Sequence, residues 1–457
     1  MSIGRPLVLR VAATLTGIGA LLGGTLVFAA GLVGGADVVT PAQRVERPAG
    51  DVVVVFDVGD VDRFVVDAAD RAAVEAGAVA TVGRTGSLGM RSITRGGSTV
   101  HAAPDGYLIP TVYISMPRGS IGRVMGADVS GVLGPDTVVM NEVSAGLTGA
   151  VVGDVIVMQA ANGSTVPLVI AGIRPYDQLG GAELVFTYDV AERLGATADT
   201  RAVIYDVSDR GALDAALRAE GLIGRRDTKV NRSWDPPDPD DTLSTARTKV
   251  ALGEPWYRFR ADGSVEMHPA WKAANLTPGR ELLNDTIRIR AQCHRVVVGD
   301  LRAALTEVAG AGLSWAIDVA NANSVGGCYV PRFSRLSGQI GFLSRHTYGM
   351  ALDTNTQSNC GGCRPQMNCD VVRIFRKHGF AWGGNFRRPD GMHFEWVGER
   401  RDQIAFPSTY CPNVVAGAAL REVAGSGAAE SDSQSLGVGA LLAGAGDLGV
   451  EMSHDHP

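Results

Sequence analysis

The chain has 457 residues, more than one ordinary domain of about 100–200 residues would use, so at least two folded units are expected. A hydrophobic content of 45% and a charged content of 20% are those of globular protein. The net charge of −6 lacks the basic balance that nucleic-acid binding favours, so no nucleic-acid partner is expected. Only Lys229, Lys249, Lys272 and Lys377 are lysines, and the other 38 basic residues are arginine. With 59 glycines and abundant Ala and Val, this bias points to a GC-rich coding sequence and says nothing about function.

Val11 to Ala36 holds no charged residue, and about 20 apolar residues suffice to cross a bilayer. Arg5 and Arg10 precede it and Asp37 follows. The positive-inside rule then gives a cytoplasmic N-terminus (1–10), a single-pass transmembrane anchor (11–36) and an extracytoplasmic remainder at the cell membrane. A cleaved signal peptide is the rival reading, because Phe28-Ala29-Ala30 resembles a small-residue cleavage site; both readings export the rest of the chain.

Val52-Val53-Val54-Val55-Phe56 reads as a strand, and short Val/Ile-rich runs split by Gly and Asp continue to about residue 222. Helices are expected near 67–76, with Gly77 as a stop, and near 209–220. The fold class expected is α+β throughout, with much antiparallel sheet between residues 50 and 222. Asn141-Glu142-Val143-Ser144-Ala145, then Val152-Gly153-Asp154-Val155-Ile156 and Val169-Ile170-Ala171-Gly172-Ile173, resemble the extracytoplasmic core domain of MacB/FtsX-type ABC permeases. That resemblance implies a domain that senses or transmits, and a possible envelope protein partner for residues 50–222.

Residues 223–247 read as a linker: in Trp234-Asp235-Pro236-Pro237-Asp238-Pro239-Asp240-Asp241 proline removes backbone donors and the acids repel. A second domain is expected from 248 to 412, with a helix around Leu301–Val308 ended by Gly310 and Gly312. Residues 413–457, rich in Ala, Gly and Ser, read as a disordered tail. All six cysteines (Cys293, Cys328, Cys360, Cys363, Cys369, Cys411) fall near or within the second domain. An even number in an exported chain reads as disulfides, with 15 pairings open; Cys360-Gly-Gly-Cys363 as half of a zinc knuckle is the alternative.

Two segments carry chemistry. Ser344-Arg345-His346-Thr347-Tyr348-Gly349-Met350-Ala351-Leu352-Asp353 sets a His and an Asp seven positions apart, and Pro389-Asp390-Gly391-Met392-His393-Phe394-Glu395-Trp396 follows some forty residues on. A catalytic zinc site needs three protein ligands and one open position. His346, Asp353 and His393 would supply two imidazoles and a carboxylate, leaving Asp390 to take a proton from the attacking water. Singly, either histidine is more often an ordinary surface or core residue; the joint pattern is what points to Zn2+.

These residues resemble the M15 peptidases, the D-alanyl-D-alanine carboxypeptidase and L-alanyl-D-glutamate endopeptidase family. The first motif of that family is matched at Ser344, His346, Gly349, Ala351 and Asp353, and the second at Asp390 and His393. Gly327-Cys328-Tyr329-Val330-Pro331-Arg332 also looks like the family, and Arg332 fits its substrate-polarising arginine. The resemblance covers about residues 250–405. It implies a small α+β unit whose antiparallel sheet bears the zinc site, with Asp390 as general base. It further implies Arg332 and Ser344 toward the substrate, and hydrolysis of peptidoglycan stem peptides. An aspartate at 390 leans toward the endopeptidase branch. The alternative is an envelope binding or regulatory module that keeps the peptidase fold without turnover.

Overall fold

A computed structural model of the chain describes residues 50–57, 61–225, 228–260, 264–320, 324–334, 341–405 and 408–414. The segment 11–36 and nearly all of 413–457 lie outside these residues, so the anchor and tail readings fall on undescribed chain. Among the described residues no helix is long and apolar enough to cross a membrane.

Strand β1 (Asp51–Asp57) is buried on both faces, and its side chains divide with a period of two. Val53 and Val55 pack on Ala68, Ala69 and Ala72 of the helix Arg63–Glu75 and on Leu213 and Leu217 of the helix Arg210–Ala219. Val52, Val54 and Phe56 face the opposite core, with Ile114, Val124 and Val185. The first helix begins a turn earlier than its apolar spacing suggests, because the Asp62 carboxylate accepts the Phe64 N–H at 2.8 Å and caps it. Asp209 caps the second helix in the same way, through the Ala212 N–H at 2.9 Å.

The remaining strands of this part are β2 (Val79–Arg95), β3 (Ser98–Ala102), β4 (Ile109–Ser115), β5 (Thr137–Asn141), β6 (Val155–Gln159), β7 (Thr165–Arg174), β8 (Leu184–Phe186), β9 (Arg201–Val207) and β10 (Thr228–Arg232). The order β10-β1-β9-β2, all antiparallel and with the two helices on one face, is the split βαβ arrangement. Strand β2, 17 residues long, then leaves that sheet and enters a second structure. Around the ring β2-β4-β8-β5-β7-β6 every strand pairs with the next, and β6 closes back onto β2. The β4–β8 and β5–β7 pairs are parallel and the rest antiparallel.

This closed six-stranded mixed barrel, inserted between the second and third strands of the split sheet, corrects the expected fold class. The α+β reading with a transmembrane helix and much antiparallel sheet did not anticipate closure or parallel pairs. The physical reason lies in β2. It is long enough to pair with two partners on each side, and a register shift between Met90 and Ser92 marks a bulge that bends it. At Gly89 a Cβ would stand 2.7 Å from Leu108 Cδ1, so a larger residue there would require the Leu108 side chain to shift. The interior is filled by Leu88, Ile93, Met140, Ile156, Ile170 and Phe186 rather than by a channel. The segments 141–145, 152–156 and 169–173 form the β5 end with its following helix Glu142–Thr148, the approach to β6, and β7.

Beyond β10 come two small hairpins, β11 (Tyr257–Phe259) with β12 (Val265–Met267) and β13 (Glu281–Leu282) with β14 (Arg290–Ala291). A four-stranded antiparallel sheet follows, β15 (Val325–Gly326), β16 (Ala351–Thr354), β18 (His393–Trp396) and β17 (Phe380–Trp382) in that order. Helices Val297–Gly310 and Cys369–Lys377 share its core through Leu301, Leu305, Val372, Phe375, Phe394 and Trp382. Disulfides join Cys293 to Cys328, Cys360 to Cys363 and Cys369 to Cys411. The first and third close separations of 35 and 42 residues, each contributing about 4 kcal/mol in the chain-entropy account. Pairing of Cys360 with Cys363 displaces the zinc-knuckle alternative.

The proline-rich stretch is not a bare connector. Asp240 is buried, its carboxylate paired with Arg376 at 2.8 and 2.5 Å and accepting the Trp382 N–H at 3.0 Å and the Asn385 amide at 2.8 Å. Arg376 is itself fully buried. Asp240→Ala leaves that guanidinium uncompensated and is expected to cost about 3–5 kcal/mol, read as a fall in the denaturant midpoint.

Candidate active site

Four short elements converge on the metal-ligand candidates. The Ser344 hydroxyl accepts the His346 N–H at 3.3 Å and caps the 3-10 turn Arg345–Tyr348, which presents His346. The chain then reverses at Gly349, with φ of +70°, where an added Cβ would lie 2.9 Å from the His294 nitrogen. This reversal feeds β16, which carries Asp353. In β18, His393 stands directly opposite Asp353 in the antiparallel register. The tight turn before it is fixed by the His393 N–H on the Asp390 carbonyl at 3.1 Å, and Asp390 is tied to Gly383 by its own N–H at 2.8 Å.

The three side chains are buried and meet directly. His346 Nδ1 lies 3.0 Å from the Gly327 carbonyl, which can only accept, so Nδ1 carries a proton and Nε2 faces Asp353. That Nε2 is 3.2 Å from Asp353 Oδ2, and His393 Nδ1 is 3.1 Å from Asp353 Oδ1. One ligand atom from each of the three residues falls within 4.8 Å of the others. Ligands about 2.1 Å from a tetrahedral ion sit about 3.4 Å apart. The donor set, two imidazole nitrogens and a carboxylate, and the separations of 3.1 and 3.2 Å about Asp353 fit zinc. The carbonyl on His346 Nδ1 is the kind of outer acceptor that orients a ligating ring.

The electrostatics without an ion show what an ion would relieve. Burial works against ionisation of Asp353, yet the charge and hydrogen bonds of His346 and His393 hold its carboxyl far below the usual carboxylate range. Burial likewise opposes a charged His393, but Asp353 and Glu395 outweigh it and raise the imidazole to about 10. Asp390 is fully buried, and that burial pushes its carboxyl up to about 8, with Asp353 adding to the rise and His393, Arg332 and Arg388 opposing it.

Arg332 acts on Asp390 by charge, while its Nη1 reaches the Phe333 carbonyl at 3.4 Å and its backbone N–H the Thr347 hydroxyl at 2.9 Å. Ser344, read from the sequence as facing substrate, has its hydroxyl on the His346 backbone. Trp382 is a core residue whose Nε1–H donates to the Gly391 carbonyl at 2.9 Å, bracing the turn after Asp390. His294 lies beside the Cys293 disulfide, on the Leu252 carbonyl at 2.9 Å, and burial lowers it to about 4. Sequence reasoning left unnamed the partner behind His393. The buried carboxylate there is Glu395, whose Oε2 stands 3.6 Å from His393 Nε2, an ion-pair contact rather than a hydrogen bond. The available signal was the period of two along a strand, which puts residues 393 and 395 on one face.

Because zinc ligands must be deprotonated, and His393 holds its proton to about pH 10 in the metal-free site, loading displaces a proton near neutrality. The expected result is one Zn2+ per chain, tighter binding as pH rises from 6 to 8, and proton release seen by calorimetry in buffers of different ionisation enthalpy. His346→Ala, Asp353→Ala and His393→Ala should each abolish stoichiometric binding.

No curated protein matches the chain. Residues 337–396, which include His346, Asp353, Asp390 and His393 but not Arg332, match the family model described as D-alanyl-D-alanine carboxypeptidase. The C-terminal part of the chain thus carries an M15-type peptidase domain.

Proposed function

We propose that the chain is an extracytoplasmic zinc metallopeptidase that hydrolyses the stem peptides of peptidoglycan. The single observation that carries this reading is the buried His346–Asp353–His393 group with Asp390 on the same turn as the last ligand. The three disulfides support an oxidising compartment. Zn2+ bound there would supply a Lewis acid for the scissile carbonyl and acidify the attacking water.

The chain's own residues divide the rest of the work. Asp390, ionised, accepts the proton of the attacking water and returns it to the leaving amine. Arg332 provides positive charge near Asp390, suited to the developing oxyanion or to a substrate carboxylate. Ser344 holds His346 in place through its backbone and borders the same turn. Burial of the group excludes competing water and strengthens each of these interactions.

The test is the full chain, oxidised and zinc-loaded, incubated with defined muropeptides and read by mass spectrometry. Loss of one terminal alanine assigns carboxypeptidase action, and a cut between L-Ala and D-Glu assigns endopeptidase action. Neither cut, with zinc bound and the fold intact, overturns the peptidoglycan assignment. Asp390→Ala should keep zinc and lose about 10²–10⁴-fold in kcat. A base must be ionised to work, so kcat/KM should rise with pH on the acid side. A bound cation favours the carboxylate, so the midpoint should fall below the value of about 8 that burial gives Asp390 in the metal-free site.

A further inference from the structure

We infer that Arg345 and Glu395 are positioning residues for the metal ligand His393, and that the N-terminal barrel holds them through the segment 243–252. This rests on the metal-binding part of the reading above.

Glu395 Oε2 lies 3.6 Å from His393 Nε2, an ion-pair contact beyond hydrogen-bond range, and its other oxygen, Oε1, is 3.0 Å from Arg345 Nε. The carboxylate is thus fixed between a permanent cation and the imidazole edge that faces away from Asp353. A ligating ring whose outer nitrogen meets a fixed carboxylate is held in one orientation and made a better donor. Arg345 does not reach Glu395 as a free surface side chain. Its Nη1 donates to the Thr248 hydroxyl at 3.0 Å, and its Nη2 donates to the Leu243 carbonyl. Both partners lie in or just before the helix Thr245–Leu252, which follows the proline-rich stretch.

That helix is docked on the barrel. The Lys249 ammonium is 2.6 Å from Glu183 Oε1, and both side chains are almost wholly buried, at 2% and 1% exposure. Glu183 immediately precedes β8, accepts the Val112 N–H of β4 at 2.9 Å, and accepts the Ser144 hydroxyl at 3.1 Å. Nearby, His101 of β3 meets Glu254 at 2.6 Å, and Leu108 and Tyr257 exchange backbone hydrogen bonds at 2.7 and 2.9 Å. A pair as buried as Lys249–Glu183 specifies one arrangement, because any shift would strand a charge in apolar surroundings. An unbroken set of contacts therefore runs from the barrel through Lys249 and Thr248 to Arg345, Glu395 and His393. The barrel is thus linked to the metal-ligand candidates through this series of contacts and does not itself line them.

The experiment measures Zn2+ affinity of the full chain by competition with a chromophoric chelator, Zn2+ alone being the probe. Arg345→Ala is expected to weaken binding about 10–100-fold, with Arg345→Lys recovering part of the loss. Thr248→Val removes one anchor of the guanidinium without changing shape. It should weaken binding several-fold in the wild-type background and have no further effect on Arg345→Ala. Unchanged affinity in a folded Arg345→Ala chain, or additive effects of the two substitutions, would overturn the inference. Should Arg345→Ala not fold, Arg345→Lys and Thr248→Val carry the same test, and wild-type affinity in both overturns it. If the wild-type chain itself takes up no zinc, the metal reading fails first and the positioning role with it.

Discussion

The carboxylate of Asp353, buried between the imidazoles of His346 and His393, is the constraint on which the rest of the peptidase part depends. A carboxylate buried out of water needs polar or positive partners, and Asp353 has an imidazole nitrogen on each side, at 3.1 and 3.2 Å. The surroundings are arranged to keep them there. Asp353 and His393 are opposite residues of two hydrogen-bonded strands, so their separation is fixed by sheet geometry rather than by a flexible loop. His346 comes from a capped turn whose reversal requires the left-handed backbone of Gly349.

Behind this group stand two layers of different character. One is apolar, the core shared by the helices Val297–Gly310 and Cys369–Lys377 and closed by two long-range disulfides. The other is ionic and joins distant parts of the chain: Arg376 with Asp240, Arg345 with Glu395, Lys249 with Glu183. Buried ion pairs add little net stability compared with apolar packing, but breaking one is costly, so they favour a single arrangement. In this chain all three connect the peptidase part to segments upstream of it or secure its ligand strand.

The elements of the N-terminal part were legible where one-dimensional signals suffice. Val52 to Phe56 forms a strand and a helix follows Asp209 as read, while the first helix starts at Arg63, a turn before the expected 67. Closure of β2, β4, β8, β5, β7 and β6 into a barrel was not legible. Alternation of apolar side chains is the same in an open sheet and in a closed one. What separates them is the partner of each backbone edge, a contact between residues as far apart as Met90 and Met158. The burial of Asp240 within the stretch 234–241 was not legible for a related reason. Its prolines and acids read as solvated chain, while the basic partner that makes Asp240 a core residue is Arg376, 136 positions away.

The sequence by itself determined the identity and order of the candidate site residues, His346, Asp353, Asp390 and His393. Their backbone context is local, a capped turn, a reversing glycine and two short strands, and local context is what sequence spacing encodes. Only the tertiary structure decided what holds them. It chose one disulfide pairing among fifteen, set Glu395 behind His393, placed Arg345 between Glu395 and Thr248, and brought the barrel against the helix that carries Thr248. Those choices depend on which surfaces meet after folding, and burial of charge enforces them once they have met.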